Sequence, residues 1–117
     1  MKYDFWRNIK EGDMLFYYDT DDWKPGIFEV LKIKDKSNYS GSFILETTCK
    51  EHHYIYVNIA SFLMDGLVNT WDHSTCKQVF ISNDRYELID HCKNELQKKI
   101  NELKDRAEYY QDLLNKV

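Results

Sequence analysis

The feature that most constrains this chain is its last third, where no residue breaks a helix. No Pro or Gly occurs between Asp84 and Val117. Asp84 and Glu87 have the spacing of a capping box, with Asp in the place of Ser or Thr. The sequence therefore predicts one continuous helix that begins near residue 84 and runs to residue 117.

An apolar heptad pattern runs along this helix, with Lys93 interrupting it at its start. The pattern defines a seam of six residues at a and d positions: Leu96, Ile100, Leu103, Ala107, Tyr110 and Leu114. In a parallel pair, Lys99 of one copy approaches Lys104 of the other, so an antiparallel pair or a different partner is favoured. We expect the chain to form a homo-oligomer through the seam.

The chain before residue 83 alternates between strand and turn patterns. Short apolar or alternating runs are separated by turns rich in Asp, Asn, Ser, Pro or Gly, at a spacing of roughly 12 residues. The runs cover residues 14–18, 27–34, 42–48, 54–59 and 77–81. We predict a mainly β fold: a small antiparallel barrel of five strands over residues 1–82, continuous with a helix over 83–117. Residues 60–76 have the weakest pattern, with a helical turn at 60–64.

The predicted helix is longer than the predicted barrel is wide. At ~1.5 Å per residue it extends about 50 Å, and a small barrel is about half as wide. Leu88, Ile89 and Cys92 are expected to pack across the open end of the barrel. The seam extends too far for that, so we expect another molecule to cover it.

Composition narrows the possible classes of protein. The 117 residues suit one domain, and the formal net charge of −4 argues against electrostatic binding of nucleic acid. No apolar run approaches the ~18–20 residues that span a bilayer, and the first residues lack the apolar stretch of a signal peptide. Three cysteines, an odd number, suit a reducing compartment. We therefore expect a cytoplasmic protein without a membrane partner.

The segment from Gly12 to Ile33 resembles the opening of Tudor-like and other SH3-like barrels. It has a Gly-Asp pair, a strand, an acidic loop that ends in Trp-Lys-Pro-Gly, and an alternating second strand. Residues 58–63 are similar to the turn that closes such barrels. The resemblance covers about residues 12–82 and implies an SH3-like fold.

Tudor domains bind methylated Lys or Arg in an aromatic cage. By position, Tyr17 or Tyr18 and Trp23 correspond to half of such a cage. The third strand and its loop, which supply the rest in the family, contain no aromatic residue over residues 44–50. We therefore carry over the fold and not the ligand.

Aromatic and acidic side chains indicate a binding face on the barrel. Adjacent strand residues point to opposite faces, so one of Tyr17 and Tyr18 faces outward, while Tyr54 and Tyr56 share a face. Exposed Tyr and Trp are typical of protein interfaces, and an acidic loop suits a basic partner. The alternative is that these large side chains fill the interior. The predicted partner-binding residues are Trp6, Tyr18, Asp19, Asp21, Asp22, Trp23 and Tyr56.

Two Cys/His pairs with three-residue spacing indicate a possible metal site. Cys49 with His52, and His73 with Cys76, match the ligand types of a tetrahedral zinc site. Neither pair has the Gly of a zinc knuckle, and the cysteines equally suit small core positions. We expect no cofactor, with zinc at these four residues as the alternative.

The sequence favours a non-enzymatic protein-interaction module, such as an adaptor, a regulatory subunit or an inhibitor of a larger enzyme. It contains no Gly-x-Ser-x-Gly, no Gly-rich phosphate loop and no His-Glu-x-x-His. Two alternatives stay open. One is a nucleic-acid-binding barrel that stacks bases on Tyr and Trp, with or without a stabilising zinc ion. The other is a small thiol enzyme that uses Cys76 and His73.

Overall fold

The computed structural model describes residues 9–34, 42–58, 67–72 and 77–117. The elements are β1 (Met14–Asp19), β2 (Gly26–Lys34), β3 (Ser42–Thr47), β4 (Tyr54–Asn58), β5 (Leu67–Asp72), β6 (Lys77–Ser82) and α1 (Arg85–Lys116). Each strand pairs antiparallel with its neighbours along the chain, and β1 pairs with β6 to close a barrel. This confirms the mainly β fold with a long C-terminal helix. Its assignment to the SH3-like barrels stays a prediction.

The predicted number of five strands is wrong, because β5 adds a sixth to the barrel. β5 pairs with β6 along its whole length, from Leu67 opposite Ser82 to Asp72 opposite Lys77. Its sequence, Leu-Val-Asn-Thr-Trp-Asp, contains the β-branched and aromatic residues that favour strands. The helical turn predicted at 60–64 lies outside the described residues.

The barrel interior is filled by side chains that alternate along the strands. Ile55 and Val57 are fully buried, while Tyr54 and Tyr56 on the same strand face outward, as predicted. The register shifts at a bulge between Val30 and Lys32, after which Ile33 packs against the core and Lys32 stays exposed. The buried interior residues are Ile9, Leu15, Phe28, Val30, Phe43, Leu45, Ile55, Val57, Val79 and Ile81.

A glycine at the start of β2 makes room for an aromatic ring from β1. Tyr17 lies opposite Gly26 in the strand pair. A Cβ atom at Gly26 would lie 2.8 Å from Cε1 of Tyr17, so the ring occupies the space that any other residue would fill. The same ring packs on Phe28, with 5.3 Å between ring centroids. Tyr17 therefore belongs to the interior and Tyr18 to the outer wall.

The helix begins as predicted but packs on a different part of the barrel. The carboxylate of Asp84 accepts hydrogen bonds from the backbone N–H groups of Tyr86 (2.9 Å) and Glu87 (3.2 Å). We expected the helix to cross the open end of the barrel, which is wrong. Tyr18 on β1 and Phe80 on β6 face outward as a cross-strand pair, and the helix covers them. The turn after β6 is short, so the chain folds back directly onto that wall.

Candidate functional site

The helix has a covered part and an uncovered part. Leu88 and Cys92 are buried with Tyr18 and Phe80 in a second core, and Leu96 is half-buried against it. Every residue from 97 to 117 is exposed. The molecule measures 59 × 28 × 27 Å, so the helix sets its longest dimension. This confirms the expected extension beyond the barrel, and residues 97–117 are called the overhang below.

The overhang carries the seam on its surface. Ile100 is 44 % exposed, Leu103 53 %, Tyr110 65 % and Leu114 66 %. Ala107 is exposed as well, so Leu96 is the one seam residue that the barrel partly covers. A contiguous row of large exposed apolar side chains is typical of an interaction surface. The seam is therefore the strongest candidate for a functional surface among the described residues.

Positive charges flank the seam. Lys99 and Arg106 occupy g positions and Lys104 an e position of the heptad, and all three are exposed. Glu95, just before the overhang, forms an ion pair with Lys98 at 3.3 Å, away from the seam. The e and g positions over the same stretch contain no acidic residue. Any helix that lies on the seam therefore meets cations along both of its edges.

The loop between β1 and β2, residues 20–25, lies where the helix leaves the barrel. The thiol of Cys92 donates to the backbone carbonyl of Trp23 at 3.6 Å, and the Trp23 ring stacks on Tyr18 at 5.8 Å between centroids. Trp23 has a φ of 57°, a left-handed conformation that costs a non-glycine residue about 1–2 kcal/mol. These contacts hold the acidic loop beside the root of the overhang.

Asp19 was predicted to bind a partner, which is wrong because it is buried inside the molecule. Its Oδ1 accepts hydrogen bonds from the backbone N–H groups of Asp21 (3.0 Å) and Asp22 (2.8 Å). Its Oδ2 accepts a hydrogen bond from Nε2 of His52 at 2.8 Å. Burial by itself raises the pKa of Asp19, but the hydrogen bonds from Asp22 and His52 outweigh burial, so the pKa lies below its usual value. Asp19 therefore fixes the loop.

Tyr18 is also unavailable to a partner, contrary to the prediction, because it is 0 % exposed. The strand alternation points it outward, and the helix then covers it. Its hydroxyl is hydrogen-bonded to Nδ1 of His91 at 2.7 Å, and its ring stacks on Phe80 at 5.0 Å. Burial raises the pKa of Tyr18. The side chain therefore anchors the covered part of the helix to the barrel.

The other predicted partner-binding residues do not form one face. Tyr56 is half-buried on β4, three strands from β1 and so on the opposite wall of the barrel. Trp6 lies outside the described residues. Asp21 and Asp22 are exposed, next to the half-buried Trp23. Among the described residues of the predicted set, Asp21, Asp22 and Trp23 share one loop, and Trp23 packs on the second core beside the covered part of the helix.

Half of the predicted zinc set falls within the described residues. Cys49 and His52 are described, whereas His73 and Cys76 lie outside. His52 is fully buried and is already hydrogen-bonded to the carboxylate of Asp19. The thiol of Cys49 donates to the hydroxyl of Tyr17 at 3.3 Å. The described pair is therefore engaged within the protein.

A different group of possible metal ligands was missed by sequence reasoning. Asp19, Glu51 and His52 place one ligand atom each within 4.8 Å of one another. Carboxylate and imidazole groups suit several divalent metals. Asp19 and His52 are hydrogen-bonded to each other, so a metal would have to displace that bond. No signal in the sequence links Asp19 to Glu51 and His52, because the barrel brings the end of β1 to the β3–β4 turn.

An apolar groove lies at the other end of the helix–barrel contact. It has a volume of about 500 Å³ and is lined by Phe16, Pro25, Gly26, Ile27, Arg85, Leu88 and Ile89. This lining contains one cation and no nucleophile or general base. Burial also raises the pKa of the Cys92 thiol nearby along the helix, which makes that thiol less reactive.

The chain matches no protein-family model, and no curated protein or solved structure is similar to it. Within the described residues, no helix has both the length and the apolar character needed to cross a membrane.

Proposed function

We propose that this protein is a protein-interaction module in which the barrel anchors a projecting helix that associates with a second copy. The observation that carries the proposal is the exposure of the seam on the overhang, from Ile100 at 44 % to Leu114 at 66 %. The barrel cannot cover these side chains, because it ends near Leu96. Another helix is the partner that an a/d pattern fits.

The source of helix stability in proteins supports this proposal. Most helical stability comes from packing of an apolar face, and the apolar face of the overhang has no such packing within the described residues of one chain. The covered part of the helix nucleates the overhang, and a partner would stabilise it. Each large apolar side chain that becomes buried contributes about 1.5–3 kcal/mol.

The barrel contributes a second contact surface in this proposal. The exposed carboxylates of Asp21 and Asp22 belong to the loop in which Trp23 contacts Cys92 of the helix, and Asp21 already attracts Lys77 at 3.3 Å. A protein with a basic surface would suit this loop. An adaptor, a regulatory subunit or an inhibitor would work in this way, without catalysis. Free thiols at Cys49 and Cys92 agree with a cytoplasmic location.

Sedimentation velocity over a concentration series tests the proposal. The intact chain is expected to shift from monomer to oligomer as its concentration rises. Leu103→Asp places a charge in the seam and should keep the protein monomeric. Asn101→Asp adds the same charge at a b position, outside the seam, and should behave like the unaltered chain. A monomeric intact chain at high micromolar concentration would contradict the proposal.

A further inference from the structure

We propose that two copies pair antiparallel along their overhangs in one specific register. The inference rests on the proposed function, because it names the geometry of the partner on the same seam. The facing pairs, one residue from each copy, are Ile100 with Val117, Leu103 with Leu114, and Ala107 with Tyr110. The two-fold axis then passes between residues 108 and 109.

The barrel limits how far a second helix can slide along the seam. Leu96 is already half-buried against the second core, and Trp23 packs on that core. In the proposed register the partner helix covers residues 100–117, all of them exposed, and leaves Leu96 on the barrel. A shift by one heptad towards the barrel would place Leu114 of the second copy opposite Leu96, a side chain that the second core and Trp23 already cover in part.

The charges beside the seam discriminate between the possible pairings. A parallel pair brings Lys99 next to Lys104 of the second copy. In the antiparallel pair shifted by one heptad, Lys104 lies next to Lys104 of the second copy, and Arg106 lies next to Arg106 of the second copy. The proposed register brings Lys104 next to Gln111 and Arg106 next to Leu113. It is therefore the pairing among these three that puts no like charges together.

The sizes of the core residues also fit this register. Ala107 faces Tyr110, so the smallest seam residue lies opposite the largest. Tyr109 and Tyr110 pack edge to face, 5.5 Å apart, and both are exposed in a single chain. In the pair, Tyr109 comes near Arg106 of the second copy, a contact in which the cation can lie over the ring. The register thus gives partners to aromatic side chains that are otherwise exposed.

Disulfide exchange between two variants tests the register. Leu103→Cys and Leu114→Cys chains are mixed in a glutathione redox buffer, and the cross-linked peptides are assigned by mass. The expected product joins residue 103 of one chain to residue 114 of the other. Asp105→Cys, on the outer face of the helix, is the control and should give no enriched cross-link with either variant.

Each other outcome overturns the register in a different way. A product joining residue 103 to residue 103 would show a parallel pair, and a product of Leu103→Cys with Ala107→Cys would show the shifted antiparallel pair. In both cases the proposed function survives. A mixture without any enriched cross-link, with monomers in sedimentation, would contradict the proposed function as well.

A charge reversal gives an independent reading that does not alter the seam. Lys104→Glu would tighten a parallel dimer, because it turns a repulsive contact with Lys99 into an attractive one. In the proposed register the residue faces Gln111, so the dissociation constant should change by no more than about twofold. A dimer that Lys104→Glu tightens clearly would overturn the antiparallel register.

Discussion

The two parts of the C-terminal helix both carry apolar side chains, but on different heptad positions and in opposite environments. In the covered part, Leu88 is 0 % exposed and Cys92 3 %. In the overhang, Leu103 and Leu114 are 53 % and 66 % exposed. Leu88 and Cys92 occupy c and g positions of the heptad, whereas Leu103 and Leu114 occupy d and a positions beyond the interruption at Lys93. The barrel therefore covers a different face of the helix from the seam.

The size of the barrel decides where the change occurs. Tyr18 and Phe80, on the wall formed by β1 and β6, contact the helix, and this cover ends near Leu96. The covered part therefore serves the fold of one chain, whereas the overhang is free for contact with another. Substitutions that alter one part of the helix and leave the other unchanged test this division.

The largest expected difference is between Leu88→Ala and Leu103→Ala. Leu88→Ala opens a cavity in the second core and should lower the free energy of unfolding by about 2–5 kcal/mol. Leu103→Ala should change it by less than about 0.5 kcal/mol in the monomer, because exposed positions contribute little. Urea unfolding at low micromolar concentration measures both. Equal losses of unfolding free energy in the two variants would contradict the division between the covered part and the overhang.

Asp19→Asn should destabilise the end of the barrel where the loop of residues 20–25 contacts the covered part of the helix. Hydrogen bonds to a charged group are worth about 1.5–3 kcal/mol, so we expect a loss of about 2 kcal/mol at pH 7. The pKa of Asp19 is lowered in the folded state. The Asp19 carboxylate therefore contributes fully to the free energy of unfolding above its unfolded pKa of about 3.9. This contribution is lost as the pH falls through the pKa of the folded state.

The pH dependence separates this role from simple packing. The free energy of unfolding of the unaltered chain should fall below about pH 4. Asp19→Asn should make that fall smaller. A variant that keeps the full slope between pH 5 and pH 2 would show that the carboxylate is not responsible.

Tyr18→Phe should have a smaller effect on the covered part. It removes the 2.7 Å hydrogen bond to His91 and keeps the ring that stacks on Phe80. We expect a loss of about 1 kcal/mol, with self-association unchanged after allowance for that loss. Thermal unfolding measures the first quantity and sedimentation the second. A variant that becomes monomeric would link the two parts of the helix more closely than we infer.

The smallest effect is expected at Lys98, which pairs with Glu95 on the outer face at the start of the overhang. Exposed pairs of this kind are worth about 0.3–0.5 kcal/mol. Lys98→Ala should therefore leave both stability and association almost unchanged. A clear loss of association would mean that the outer face, and not the seam, contacts the partner.

Local patterns in the sequence were sufficient for most of the elements. The strand runs at 14–18 and 27–34 and the cap at Asp84 match the observed β1, β2 and helix start. β5 was missed because its apolar residues follow a segment that also suits a helical turn. Its partners, β4 and β6, supply the pairing that a sequence pattern cannot show.

The fate of individual site residues depended on contacts between distant segments. Tyr18 faces outward as its strand position predicts, but a helix 73 positions away covers it. Asp19 lies in an acidic loop sequence, yet His52, 33 positions away, makes it part of the interior. The overhang was predictable because it depends on helix length alone, which the absence of Pro and Gly sets.

Amide hydrogen exchange along the helix, measured over a concentration series, tests the division most directly. The account predicts that the amides of residues 86–96 are protected at every concentration, because the barrel covers that part. The amides of residues 100–114 should exchange rapidly in dilute solution and gain protection as the concentration rises. Protection of residues 100–114 that does not depend on concentration would contradict it.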